Sequence, residues 1–248
     1  MYDIADKLAV ITGGTRGIGL AIGAAILAAG GRVVLNGRAE TEEAMALSAK
    51  FGPERVAVEL GDVSAPKQAT ALVENAGERF GRIDILIHAA GGPAPGKVTD
   101  LTPEAWMNAF AIHVHPVFHL FRAAHPYLKR EGGAVLLVSS VAGIRGCPGT
   151  PAYQTVKGAL IPLAKALAFD HAREKIRINV INPGIIRTRF HDAMSEEAKA
   201  HNIANRILLG REGTVEDVAE AAMAMLTNDF ITGESITVDG GMSMRVTG

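Results

Sequence analysis

The sequence predicts an α/β fold, a doubly wound sandwich in which a seven-stranded parallel sheet is flanked by helices. Three observations carry that expectation. Seven short apolar runs recur along the chain, the stretches between them have helical periodicity, and the first run enters the first helix through a glycine-rich turn. Residues 8–11 are continuously apolar, as a strand buried on both faces of a parallel sheet must be. Runs at 32–36, 55–60, 83–88, 134–139, 176–181 and 235–238 complete the set. Helical patterns lie near 17–29, 40–51, 65–80, 103–130, 152–173 and 214–228. This alternation requires right-handed crossovers between parallel strands. No repeat, low-complexity tract or linker-like shift interrupts it. Residues 1–248 are expected to form one domain, with a substrate lid at about 187–210.

Composition removes several classes of function. Lys and Arg number 25 against 26 Asp and Glu, a net charge of −1, so no basic excess exists for a nucleic-acid face. The single cysteine, Cys147, excludes an intrachain disulfide framework and a cysteine-based zinc site. The N-terminal residues carry two acids and no basic leader followed by a long apolar run. The glycine- and alanine-rich stretch 17–31 is shorter than the roughly 20 residues a membrane span needs. The expectation is a soluble cytoplasmic protein with no membrane and no nucleic-acid partner.

In a doubly wound sheet, ligands bind where strands end at the topological switch point. After the first strand stands Thr12-Gly13-Gly14-Thr15-Arg16-Gly17-Ile18-Gly19, then an apolar helix. Glycines there permit a tight turn and close approach of backbone N–H groups to a pyrophosphate, and the helix N-terminus adds partial positive charge. The spacing is G-x-x-x-G-x-G. Alone such a turn can be structural; between an apolar strand and a helix it reads as a dinucleotide cradle. After the second strand comes Asn36-Gly37-Arg38, with no acid to bond the ribose hydroxyls and two arginines, Arg16 and Arg38, flanking the expected pocket. Guanidinium groups suit a 2′-phosphate, so NADP(H) is expected over NAD(H). The alternative is that both arginines are solvated surface groups. Asp62 and Val63 are placed to touch an adenine edge, or Asp62 caps the helix from Ser64.

The reactive groups are Ser140, Tyr153 and Lys157. Tyr153 and Lys157 are four apart in an apolar helical stretch and share a face. Free tyrosine titrates near 10, so proton transfer near neutrality calls for a cationic neighbour, which the Lys157 ammonium and an oxidised nicotinamide would both supply. Ser140 ends a strand thirteen residues before Tyr153 and is placed to hold a substrate oxygen beside it. By itself Y-x-x-x-K is ordinary helix surface; with the glycine turn and the strand-end serine it becomes a site.

This combination resembles the short-chain dehydrogenase/reductase family over essentially the whole chain, in particular NADP(H)-dependent ketoreductases of the 3-oxoacyl-reductase-like type. The matching residues are Thr12, Gly13, Gly17 and Gly19, Asp62-Val63, Ser140, Tyr153 and Lys157, Asn182-Pro183-Gly184 with Thr188, and the closing Val238-Asp239-Gly240-Gly241. The resemblance implies a Rossmann-type sheet, a nicotinamide cofactor, and hydride transfer between it and a carbonyl or secondary alcohol. It makes Tyr153 the acid/base, Lys157 the ribose contact that depresses the tyrosine, and Ser140 the carbonyl anchor. It places Ala90, Gly91, Pro183, Gly184, Ile186 and Thr188 along the cofactor, and it implies homotetramers.

Two departures stand out. The family's Asn-Asn-Ala-Gly after the fourth strand is His88-Ala89-Ala90-Gly91 here, and its active-site Asn in the following helix is His113. Three readings stay open for His113: a tolerated substitution, an altered proton relay through an imidazole titrating near 6.5, or a non-catalytic nucleotide-binding protein. The run His113, His115 and His119 has no acid or cysteine ligand beside it and Pro116 within it, so no metal is expected and packing or interface roles are.

Substrate identity is the least legible feature. The expected lid mixes Phe190, Met194, Ile203, Ile207 and Leu208 with Arg187, Arg189, His191 and Arg206, while loops 92–97 and 145–151, with Cys147, form the other walls. Such a pocket suits a cyclic ketone, a sugar or a 3-oxoacyl thioester. An acyl-carrier substrate would favour a basic docking patch, whereas Lys129-Arg130-Glu131 and Arg173-Glu174-Lys175 have intermixed acids.

Overall fold

The five inner runs become strands buried on both faces, while the first and last in the sheet are edge strands that stay partly exposed. In the computed structural model, which describes residues 2–188 and 194–245, the runs are β1 (Leu8–Thr12), β2 (Arg32–Gly37), β3 (Val56–Leu60), β4 (Ile85–His88), β5 (Gly133–Val138), β6 (Ile176–Pro183) and β7 (Ser235–Val238). All neighbours are parallel, in the order β3-β2-β1-β4-β5-β6-β7. This is the Rossmann-type doubly wound sheet that the alternation predicts. The order reverses between β1 and β4, where Thr12 lies opposite both Asn36 and His88.

The helices are α1 (Gly17–Ala28), α2 (Glu42–Phe51), α3 (Pro66–Phe80), α4 (Pro103–His113), α5 (His115–Leu128), α6 (Pro151–His171), α7 (Glu196–Asn205) and α8 (Val215–Thr227). Strand side chains alternate between two cores. Leu8 and Val10 join Val73, Leu120 and Leu160 from α3, α5 and α6, whereas Ala9 and Ile11 join Ile22, Ile26 and Met225 from α1 and α8.

Two elements differ from the sequence expectation. The single helix expected over 103–130 breaks at Val114 (φ −112°, ψ −53°) into α4 and α5. Pro116 has no N–H to give the Ile112 carbonyl, so the ladder cannot continue, and the Val117 amide bonds the Val114 carbonyl instead. The lid region contains α7, whose start is capped by Ser195 accepting from the Ala198 amide. The lid residues Arg189, Phe190 and His191 lie outside the described residues. No helix among the described residues is long and apolar enough to cross a membrane.

Leu120 is fully enclosed between α5 and the sheet. Leu120→Ala should lower the unfolding free energy by about 2–5 kcal/mol, read from urea denaturation; a change under half a kilocalorie would contradict this packing.

Candidate active site

The site forms where the ends of β1, β4, β5 and β6 meet, and close backbone contacts shape it. Gly13 adopts φ +64°, and a Cβ there would stand 2.7 Å from the Ala90 amide nitrogen. A Cβ at Gly19 would stand 2.3 Å from the Gly13 carbonyl oxygen. Only glycine lets this turn fold down onto β4. Helix α1 then starts with no side-chain cap and no acid in its first turn, which leaves its N-terminal amides facing an anion without competition. This cradle fits a pyrophosphate. Thr188 lies across it, 3.6 Å from where a Gly17 Cβ would be, and Ile186 behind it is buried in the core.

Around the adenosine end the arginines are exposed, and the Arg38 charge acts on Asp62. Asp62 accepts from the Ser64 amide at 2.9 Å, and this bond, with the one from the Ser64 hydroxyl, holds its carboxyl below the usual range. It closes a turn, because α3 starts only at Pro66 with Ala65 as its uncapped N-cap. Asn36 bonds the Glu59 and Gly61 carbonyls. The Thr15 side chain is buried against Gly37, and the Val63 side chain sits in the core, so from these two only backbone faces the pocket.

Ser140, Tyr153 and Lys157 are brought together by a glycine contact. Ser140 leaves β5 and caps the 3-10 turn Val141–Gly143, accepting from the Ala142 amide. A Cβ at Gly143 would stand 2.8 Å from both the Gly158 nitrogen and the Lys157 carbonyl carbon. The turn therefore presses directly on α6, and the Ser139 hydroxyl donates to the Lys157 carbonyl at 2.7 Å. Ser140 and Tyr153 hydroxyls are hydrogen-bonded, which pulls the phenol down, but burial is larger and raises it. Lys157 Nζ donates to the Val138 carbonyl at 2.8 Å and lies 5.8 Å from the Tyr153 ring centroid. Burial brings its own pKa down to about 8. In the protein alone, desolvation of the phenol outweighs the pull of Ser140 and holds Tyr153 above its usual range.

Two histidines complete the site. The break after α4 frees the His113 carbonyl, and His88 Nε2 donates to it at 3.2 Å while His88 Nδ1 accepts from the Thr12 hydroxyl at 2.8 Å. His113 Nε2 lies 3.0 Å from the Gly92 carbonyl and 3.4 Å from the Gly92 amide, and the shorter contact, to an oxygen that only accepts, favours the hydrogen on Nε2. Its Nδ1 is buried without a partner among the described residues. That Nδ1 and Lys157 Nζ border the same point, 3.0 and 3.5 Å from where a Gly91 Cβ would be. Burial first, then Lys157, keeps both imidazoles neutral, each pushed down to about 3. A relay titrating near 6.5 is not what this environment produces. Sequence reasoning missed His88 as a structural tie because its partner is a main-chain carbonyl.

The walls are joined to one another. The Gly96 amide donates to the Gly149 carbonyl at 2.8 Å, linking the two expected wall loops. Gln154 grips the Cys147 backbone from both sides. Beyond β6, Gly184 packs on Asp239, where a Cβ would stand 2.7 Å from the Asp239 Cβ. The Leu209 amide donates to the Gly240 carbonyl, and the Arg145 guanidinium to the Met242 carbonyl.

A model of the family described as Enoyl-(Acyl carrier protein) reductase matches residues 13–243. The chain is 32% identical over 250 residues to Dehydrogenase/reductase SDR family member 4 of Caenorhabditis elegans, covering 97% of this chain and 96% of that protein. It is 32% identical over 246 residues to 3-oxoacyl-[acyl-carrier-protein] reductase FabG of Chlamydia muridarum, covering 97% and 98%. A short-chain type dehydrogenase/reductase from Mycobacterium ulcerans superposes with a TM-score of 0.91 at 30% identity, over 99% of this chain and 93% of that one.

The neutral histidines make stability depend on pH. Unfolded, each binds a proton near 6.5; folded, only near 3. Their contribution is fully present above about 6.5 and falls with pH below it, by up to about 1.4 kcal/mol per pH unit for each ring. The double variant His88→Asn/His113→Asn should show a flatter fall in urea midpoint between pH 7 and 5 than the parent; equal slopes would sink this assignment. Gly143→Ala should force the serine turn off α6 and cut turnover more than tenfold while the thermal midpoint stays within a few degrees.

Proposed function

The chain belongs to the short-chain dehydrogenase/reductase family, whose members are oxidoreductases acting on CH–OH/C=O with NAD(P), and from that premise we propose that it is an NADP(H)-dependent ketone reductase or alcohol dehydrogenase. The observation that carries this reading is the hydrogen-bonded Ser140–Tyr153 pair with Lys157 packed behind it, at the strand ends beside the glycine cradle. A bound nicotinamide supplies or accepts the hydride. The chain's own residues manage the proton. Tyr153 gives its hydroxyl proton to the carbonyl oxygen in reduction and takes it back in oxidation, Ser140 holds that oxygen, and Lys157 stabilises the phenolate that forms. Neutral His113, with a lone pair on Nδ1 beside Lys157, serves as an acceptor there and not as a cation.

Arg16 and Arg38, with no acid at positions 36–38, support the phosphorylated cofactor. Relatives named as 3-oxoacyl-[acyl-carrier-protein] reductases support a second reading of the substrate as a 3-oxoacyl thioester. Against a carrier docking at the patches expected from sequence, Lys129–Glu131 and Arg173–Lys175 precede β5 and β6 and so lie where those strands begin, at the end of the sheet opposite Ser140. Exposed Phe118, Phe169 and Phe230 support assembly into a homo-oligomer, expected as a tetramer.

NADPH oxidation followed at 340 nm against ketones, diketones, sugars and 3-oxoacyl esters tests the reaction. Tyr153→Phe should lower turnover by about 100- to 10,000-fold and still bind NADPH; cofactor binding with no turnover on any class would favour a non-catalytic nucleotide-binding protein. Arg38→Ala should reduce the preference for NADPH over NADH by roughly tenfold or more, and a parent enzyme that uses NADH better overturns the cofactor assignment. Light scattering giving a monomer would overturn the assembly.

A further inference from the structure

The histidines His113, His115 and His119 that cluster in sequence do not cluster as ligands. Folding instead groups His125 on α5 with His171 and Glu174 at the end of α6. One ligand atom from each lies within 4.8 Å of the others. His125 Nε2 and His171 Nδ1 both contact the same carboxylate oxygen, Glu174 Oε2, at 2.8 and 2.7 Å. An ionised carboxylate only accepts, so each imidazole directs an N–H at it. These two bonds hold the Glu174 carboxyl below its usual range. The rings are 4.9 Å apart, and Phe121 packs on both, at 4.9 Å from His171 and 5.9 Å from His125. All three residues are partly exposed, beside an apolar cavity of about 380 Å³ whose one guanidinium, Arg122, lies over the Phe118 ring.

We infer that His125, His171 and Glu174 form a binding site for a divalent cation of the zinc class, tying the ends of α5 and α6 together. Two imidazoles and one carboxylate, with water as the fourth ligand, match the donors and coordination number that zinc takes. Bonds of about 2.0–2.2 Å place tetrahedral ligands about 3.3 Å apart, so each nitrogen must move about half an ångström from Oε2, and the two nitrogens, within 4.8 Å of each other, must settle at that same spacing. His125 Nε2 and His171 Nδ1 coordinate by giving up the hydrogen now directed at Oε2, to the ring's other nitrogen or to solvent, which frees both lone pairs for the ion. Because α5 leads into β5 and α6 into β6, the site lies at the end of the sheet where those strands begin, opposite the end that carries Ser140 and Tyr153, and its test is independent of the hydride reaction.

The tag-free full chain, stripped by chelator, is titrated with Zn²⁺ by calorimetry and with Co²⁺ by visible absorption. One equivalent per chain is expected, with the d–d intensity of a four-coordinate site, and at a hundredfold excess over Kd the melting midpoint should rise by about 5 °C. His125→Gln and Glu174→Gln should each abolish the saturable binding. In the parent chain zinc should shift the imidazole resonances of two of the eight histidines, a readout that stands even if a variant fails to fold. Absence of binding, unchanged binding in a folded variant, or a shift confined to other histidines overturns the proposal.

Discussion

Lys157 Nζ is enclosed at the end of β5 with a hydrogen bond to the Val138 carbonyl, and the groups around it are arranged about an ammonium that water barely reaches. A buried cation penalises any second positive charge nearby. His88 and His113 are both within its influence and both neutral for that reason as well as through burial. Their neutrality fixes what they can do. His88 has one N–H, spent on the His113 carbonyl, and one lone pair, spent on Thr12. The helix break, the end of β4 and the glycine turn after β1 are thereby held to one another by a single ring.

Positioning elsewhere is done by backbone against backbone. Gly143 on Gly158, Gly13 on Ala90 and Gly184 on Asp239 are contacts at which a single added carbon would collide with main-chain atoms or with a fixed side chain. Each seats one wall of the site against the next. The sheet supplies the strand ends, but these contacts set how far the loops beyond them can splay.

Most of this fold was legible in the sequence because buried parallel strands are continuously apolar and glycine turns have few other uses. Tyr153 and Lys157 were legible for a similar reason: helical spacing fixes their common face. The division between α4 and α5 was signalled by Pro116, but apolar periodicity runs on through it. Helix α7 escaped because its one large aliphatic residue, Ile203, makes no stripe. Thr15 and Val63 show a different limit. Motif position places the backbone, while the side chain answers to whichever core lies beneath it. The rise of Tyr153 and the grouping of His125 with His171 and Glu174 depend on distances between residues far apart in the chain, which no local pattern encodes.

The contacts of Asp239, Gly240 and Met242 with Gly184, Leu209 and Arg145 have a consequence for the order of synthesis. The glycine cradle, Ser140 and Tyr153 all emerge from the ribosome well before residue 239, yet the loop after β6 and the Arg145 wall lack their contacts with the closing turn until it does. A nascent chain stopped short of that turn carries every reactive side chain and lacks the last contacts that fix two of the walls around them. Competence therefore arrives late and at once, with the last strand and the turn that follows it.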